Sequence, residues 1–103
     1  MRRAAKVDDN HRTIVAALVK VGCPVQSLAG VGAGVPDLLV WSPFTKRLHL
    51  VEVKDGDKVP SAQKLTPAQQ AWWEHWALAS ESMAVARSVD EALAIVGAKQ
   101  EQR

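Results

Sequence analysis

The chain has 103 residues, enough for one small domain with a single core and too few for two. Hydrophobic residues make up 48% and charged residues 23%, which is ordinary for a globular protein and excludes extensive disorder. The net charge of +2 permits a polyanionic partner without indicating one, and the lone Cys23 excludes an internal disulfide and a cysteine-based zinc site.

The first residues do not have the pattern of a secretion signal. Arg2, Arg3 and Lys6 are followed by acidic and polar residues where a signal peptide has an apolar run, and no stretch approaches the ~18 apolar residues of a membrane span. We therefore expect a cytoplasmic protein in a reducing compartment. We also expect one domain over residues 1–103, with frayed tails at about 1–7 and 98–103.

The predicted elements follow the order αβββαβα. From Asp9 to Val21, apolar residues recur at three- and four-residue steps, which predicts an amphipathic helix that ends at Gly22 and Pro24. Cys23 to Leu28 predicts a short strand. The glycine-rich segment 29–34 predicts a connection that lets another backbone or a ligand come close.

A β-hairpin is predicted next, with strands at Leu38 to Trp41 and Leu48 to Lys54. A turn centred between Phe44 and Thr45 pairs positions whose numbers sum to 89. Both strands are apolar at nearly every position, which favours a central sheet covered by helices on both faces.

A second helix is predicted to begin after Thr66, an N-cap residue followed by proline, and to run to about Ala79. Trp72 and Trp76 lie one turn apart on it and are expected to anchor it on the sheet.

Two more elements complete the chain. Ser82 to Arg87 predicts a strand, and Ser88 with Glu91 predicts a capping box for a last helix through Val96.

Two carboxylates and one ammonium are predicted to meet at one edge of the hairpin. In the predicted register Asp37 lies opposite Glu52 with the Cβ atoms ~5 Å apart, and Lys54 shares their face because side chains alternate along a strand. Carboxylates this close repel unless a cation lies between them or one takes up a proton. Mg²⁺ favours one or two carboxylates together with waters and phosphate oxygens, so the pattern indicates a metal site suited to phosphodiester hydrolysis.

A less specific interpretation is a structural salt bridge between Glu52 and Lys54, which leaves Asp37 without a role. The glycine-rich segment lacks the lysine and Ser/Thr of a P-loop and does not enter a helix, which argues against nucleoside triphosphate binding. The histidines are scattered along the chain and are expected to be surface or half-buried polar residues rather than metal ligands: His11, His49 and His75.

Three motifs resemble the VRR-NUC family of the PD-(D/E)xK nuclease superfamily in order and spacing. They are Gly34-Val35-Pro36-Asp37, Val51-Glu52-Val53-Lys54 and Leu65-Thr66-Pro67-Ala68-Gln69. The resemblance implies an α/β, restriction-endonuclease-like αβββαβ core with a mixed central sheet flanked by helices, here followed by a C-terminal helix. It also implies an endonuclease that hydrolyses DNA with Mg²⁺, for which Mn²⁺ can substitute.

By the same resemblance, Asp37 and Glu52 are the metal-binding carboxylates and the backbone carbonyl of Val53 is a further ligand. Lys54 is the catalytic lysine. Gln69 lies beside the site and orients the lysine, a water or the phosphate.

The family usually carries a glutamate thirteen residues before the glycine that ends the first helix, and here Asp9 stands at that distance from Gly22. The shorter side chain is expected to reach the metal through a water. Lys58 and Lys64 follow Lys54 along the chain and are expected to contact DNA phosphates.

The resemblance implies a homodimer and a branched substrate such as a four-way junction. The lack of a long apolar stretch predicts no membrane partner. A different class of function is a catalytically inactive nucleic-acid-binding module that keeps the nuclease fold, which Asp9 in place of glutamate favours. A third is a structural partner protein whose hairpin charges form only a salt-bridge cluster.

Overall fold

The computed structural model describes residues 9–98, apart from the side chain of Asp9. Its helices and strands are, in chain order, α1 (Asp9–Lys20), β1 (Val25–Ser27), β2 (Leu38–Ser42), β3 (Arg47–Val53), α2 (Pro67–His75), β4 (Met83–Ala86) and α3 (Val89–Ile95). This order is the predicted one. Two 3₁₀ segments were not predicted, Pro60–Gln63 within the link after β3 and Ala77–Ser82 after α2, and α2 therefore ends before the expected Ala79.

The strands form one mixed sheet in the order β1-β2-β3-β4. The pair β3–β4 is parallel, since α2 crosses over between them, and the other two pairs are antiparallel. The register of β2 with β3 is the predicted one, running from Leu38 opposite Val51 to Ser42 opposite Arg47. One step beyond that ladder, Asp37 and Glu52 come to the same end of the sheet.

The core lies between one face of this sheet and the helices α1 and α3. Ile14 and Leu18 of α1 are fully buried there, as the periodicity of that helix predicted, together with Leu38 and Val40 of β2 and Val96 after α3. Burial of each such side chain contributes about 1.5–3 kcal/mol to folding. This layer packs against the hairpin and so positions the end of the sheet where the charged residues meet.

The opposite face is covered less completely than the apolar strands predicted. Trp41 and Leu48 are cross-strand partners on it, and they are 40% and 51% exposed. The helix α2 buries none of its residues fully, and Trp72 and Trp76 stack on each other with ring centroids 5.1 Å apart instead of filling a core. The prediction that this pair anchors α2 on the sheet was therefore wrong.

The turn of the hairpin is fastened to the end of α3. Ser42 donates its hydroxyl to the carbonyl of Val96, and the same oxygen accepts from the backbone of Thr45. His49 is buried and its Nε2 lies 2.7 Å from the hydroxyl of Thr45. The expectation that His49 is a surface or half-buried residue was wrong because this turn folds over it.

Both later helices begin with side-chain caps. Thr66 and Gln69 form a reciprocal capping box at the start of α2. At α3, Ser88 accepts from the backbone of Glu91, but the Glu91 carboxylate accepts from the N–H of Arg87, so the predicted box is only half formed.

The tails expected to fray lie outside the described residues except at Ala98, which is buried and donates its N–H to the carbonyl of Leu93. Within residues 9–98, no helix has the length and apolar character needed to cross a bilayer.

Candidate active site

The structure brings Glu52, Lys54 and Gln69 into one hydrogen-bonded group. Glu52 lies near the end of β3, Lys54 follows it by two residues, and Gln69 lies in the first turn of α2. The side-chain amide of Gln69 donates to Glu52 Oε2 over 2.9 Å, and Gln69 Oε1 accepts from Lys54 Nζ over 2.9 Å. Lys54 Nζ is also 3.7 Å from Glu52 Oε2, so carboxylate, amide and ammonium all touch one another.

Asp37 joins this group from the loop before β2. Its Oδ2 accepts from the backbone N–H of Val53 over 2.9 Å, and its backbone carbonyl accepts from Leu28 over 2.6 Å. These bonds hold the carboxylate against β3, beside Glu52. The two carboxylates therefore face each other across neighbouring strands, as the register requires.

Glu52 is buried with its charge poorly balanced. Its side chain is 3% exposed, and its Oε1 has no hydrogen-bond partner among the described atoms. Burial, and then the negative charge of Asp37, raises the pKa of Glu52 to about 8, although the ammonium of Lys54 acts in the opposite direction. Without a further cation, the carboxyl group therefore holds a proton at neutral pH.

A divalent cation fits this pair of carboxylates. It would give Glu52 Oε1 a partner when the carboxyl group is ionised, and it would offset the repulsion from Asp37. Hard oxygen donors without histidine or cysteine are the set that Mg²⁺ takes. Among the described side chains, which do not include that of Asp9, no three His, Cys, Asp or Glu cluster as a metal site. Further ligands would include backbone carbonyls such as that of Val53, waters and substrate oxygens.

The start of α1 lies close to this site, although the side chain of Asp9 is outside the described atoms. The next residue, Asn10, donates its side-chain amide to the carbonyls of Lys54 and Arg87. It thereby ties the first turn of α1 to the end of β3. The sequence carries no signal for this role of Asn10, because it depends on a contact between residues 44 positions apart.

Lys58 and Lys64 are exposed on the loop that follows Lys54. Gln63 orders this loop by donating its side-chain amide to the carbonyls of Gly56 over 3.2 Å and of Lys58 over 2.6 Å. The two lysines are therefore exposed on a loop whose backbone is ordered by Gln63, and Gln63 was not predicted to contribute.

Comparison with known proteins agrees with this geometry. The family model described as the VRR-NUC domain matches residues 5–90. A solved structure described as a VRR_NUC domain is 25% identical to this chain and superposes with a TM-score of 0.63. The match covers 90% of this chain and 96% of the other. No curated protein matches the sequence.

Proposed function

Because this chain belongs to the VRR-NUC family, a family of nucleases, we propose that it is a metal-dependent endonuclease that hydrolyses DNA phosphodiester bonds. The observation that carries the proposal is the buried Glu52 beside Asp37, with Lys54 and Gln69 in contact with it. A structural salt bridge alone would not require a second carboxylate at this point. The proposed cofactor is Mg²⁺, with Mn²⁺ as a substitute.

In this proposal Asp37 and Glu52 hold the ion, with the carbonyl of Val53 as a further ligand and Asp9 reaching it through a water. The bound ion supplies Lewis-acid chemistry at the phosphate and at the attacking water. Asp37 and Glu52 would fix the position of the ion, because the Asp37 carboxylate is bonded to the backbone of β3 and Glu52 lies on that strand.

Lys54 is proposed to orient the attacking water and to stabilise the negative charge that develops on the phosphate. Its side chain is 12% exposed, so its ammonium acts in a largely water-excluded place where an electrostatic interaction is strong. Gln69 keeps that ammonium beside the carboxylate, since its oxygen accepts from Nζ while its nitrogen donates to Glu52.

Lys58 and Lys64 are proposed to bind the phosphates that flank the cleaved bond. Both are exposed, they follow Lys54 along the chain, and the bonds from Gln63 order the loop that carries them. Contacts of this kind position DNA without reading its sequence.

We also propose a homodimer that acts on branched DNA such as a four-way junction, because two active sites could then cut two strands. Support comes from the large apolar side chains left exposed near the end of α2, Trp76 at 48% and Leu78 fully. Light scattering over a range of concentrations tests this part, and a concentration-independent monomer contradicts it. Cleavage of a four-way junction should exceed cleavage of a linear duplex with the same sequence.

The alternative is an inactive nucleic-acid-binding module with the nuclease fold, favoured by Asp9 where relatives carry glutamate. That alternative predicts DNA binding without cleavage in any divalent metal, and no Mn²⁺ bound at Asp37 and Glu52.

A cleavage assay on supercoiled plasmid and branched DNA tests the proposed activity. Mg²⁺ or Mn²⁺ should support cleavage and EDTA should abolish it. Full activity in Asp37→Ala or Lys54→Ala contradicts the proposal, provided that circular dichroism shows the variants folded.

A further inference from the structure

Gly34 lies directly against the first turn of α2. A Cβ atom added at this glycine would overlap the carbonyl oxygen of Ala68 and would lie 2.6 Å from the carbonyl carbon of Ala68 and 3.1 Å from the backbone nitrogen of Gln69. All of these are backbone atoms, which cannot swing aside as a flexible side chain can. The backbone of Gly34 also has a φ of +85°, in the left-handed region.

This turn of α2 carries the Gln69 side chain, whose orientation depends on where the turn lies. Oε1 of Gln69 accepts from the backbone N–H of Thr66 over 2.8 Å and from Lys54 Nζ over 2.9 Å. Because both partners are donors, the oxygen must face them, and the amide nitrogen is left to donate to Glu52. A shift of the turn would move all three bonds together.

Gly34 belongs to the same loop as Asp37, the loop before β2. The two residues are close along the chain, and the intervening Pro36 is buried. The Asp37 carboxylate is bonded to β3 and its carbonyl to Leu28. The contact between Gly34 and Ala68 therefore joins the loop that carries one carboxylate to the helix that orients the amide beside the other.

We propose that Gly34 is a positioning residue of the active site. By lacking a side chain it lets α2 approach the Asp37 loop closely enough for Gln69 to bridge Glu52 and Lys54. Its effect on cleavage rests on the proposed nuclease function, but its effect on the geometry does not.

The loop offers a matched control for substitution of Gly34. Gly32 has a similar left-handed φ of +74°, and a Cβ added there meets no atom within 4 Å. Alanine at either position carries the strain of a left-handed backbone, about 1–2 kcal/mol, and Ala33 between them also has a positive φ, of 56°. Comparing Gly34→Ala with Gly32→Ala therefore separates the contact with α2 from backbone strain.

The experiment records proton–nitrogen NMR spectra of both variants without metal and follows the side-chain amide of Gln69, assigned by its absence in Gln69→Leu. We expect Gly34→Ala to shift these signals and the backbone amide of Gln69, and Gly32→Ala to leave them in place. Cleavage of DNA should fall at least about tenfold in Gly34→Ala only, because displacement of a reacting group by about 1 Å has effects of this size or larger.

Unshifted Gln69 signals in Gly34→Ala overturn the proposal, as do equal shifts in the two variants. Loss of folding in Gly34→Ala alone, measured by circular dichroism, also overturns it, because the residue would then serve the whole fold. If the unmodified protein cleaves no DNA in any metal, the proposed function fails while the NMR comparison still decides the role of Gly34.

Discussion

Gln69 donates its side-chain amide to Glu52 Oε2 over 2.9 Å and so joins the first turn of α2 to β3. The amide oxygen of the same side chain accepts from Lys54 Nζ. One neutral side chain thus holds a buried carboxyl group and an ammonium next to each other, which is the arrangement that the proposed reaction needs.

Gln69→Ala should slow DNA cleavage by about 10- to 100-fold, because groups that orient the primary ligands typically contribute that much. The measurement is the single-turnover cleavage rate with saturating Mg²⁺. Gln70→Ala is the matched control, since Gln70 is the next residue of α2, is exposed and donates to Glu74. Equal rates in the two variants would contradict the role given to Gln69.

Lys54→Met should lower the cleavage rate by at least about 100-fold, as loss of a group that stabilises developing negative charge commonly does. Methionine keeps much of the apolar length of the side chain, so the fold should persist. Lys20→Met, at the exposed end of α1, removes an equal charge away from the site and should cleave at the normal rate. Comparable rates for the two methionine variants would argue against a catalytic lysine.

The metal-free protein should become less stable as pH rises from about 4.5 to about 8. Burial and Asp37 raise the pKa of Glu52 from 4.5 to about 8, so in this range the folded protein holds a proton that the unfolded chain has released. The free energy of unfolding therefore falls with rising pH until the folded carboxyl group ionises. Glu52→Gln cannot titrate and should lack this fall in urea unfolding with EDTA present.

His49 changes stability in the opposite sense, and comparison with Glu52→Gln removes its effect. Burial lowers the pKa of His49 from 6.5, so the unfolded chain binds a proton more readily and stability falls as pH drops below that value. The unmodified protein and Glu52→Gln both keep His49, so its contribution cancels in the difference between their free energies of unfolding. A stability difference between them that does not vary with pH would contradict the assignment to Glu52.

Mg²⁺ or Mn²⁺ should stabilise the protein against heat, because a ligand that binds only the folded state does so by mass action. When the free ion is at one hundred times its dissociation constant, the free energy of unfolding rises by about 2.7 kcal/mol. For a domain of this size, Tm then rises by roughly 10–20 °C. Asp37→Asn should lose most of this shift. No shift in the unmodified protein would favour the interpretation of a structural salt bridge.

Lys58→Ala and Lys64→Ala should each weaken DNA binding at low salt. A lysine that neutralises one phosphate of duplex DNA contributes about 0.9 to the slope of log affinity against log salt, so each substitution should lower the slope by that amount. The substitution Lys46→Ala, in the hairpin turn at the opposite end of β3, is the control and should leave the slope unchanged. Fluorescence anisotropy across a salt series gives the slope for all three variants. Slopes for Lys58→Ala and Lys64→Ala equal to that of the unmodified protein would contradict phosphate contacts by these lysines.

The hairpin could be predicted from the sequence because its register depends on local rules. Side chains alternate along a strand, and a turn centred between Phe44 and Thr45 leaves one pairing, which the pairing of Leu38 with Val51 confirms. The opposition of Asp37 and Glu52 followed from that register. The family and the mixed sheet with flanking helices were also recognised correctly, from three motifs in order.

Contacts between distant segments could not be predicted in the same way. Trp72 and Trp76 have the spacing of a core-facing pair, but the sequence does not say whether a surface lies opposite them, and they stack on each other. Likewise, the glycine-rich loop predicted a close approach without naming its partner. Only the fold shows that Gly34 meets Ala68, in the turn that carries Gln69.

If Asp37 and Glu52 share a divalent ion, Mn²⁺ should bind between their carboxylates in a crystal. Crystals soaked in MnCl₂ and measured near the manganese absorption edge should show anomalous density between the two carboxylates, within about 2.0–2.2 Å of their oxygens. The peak should be absent from Asp37→Asn crystals treated identically. If saturating Mn²⁺ leaves no density at this position while both side chains are ordered, the two carboxylates do not form the proposed metal site.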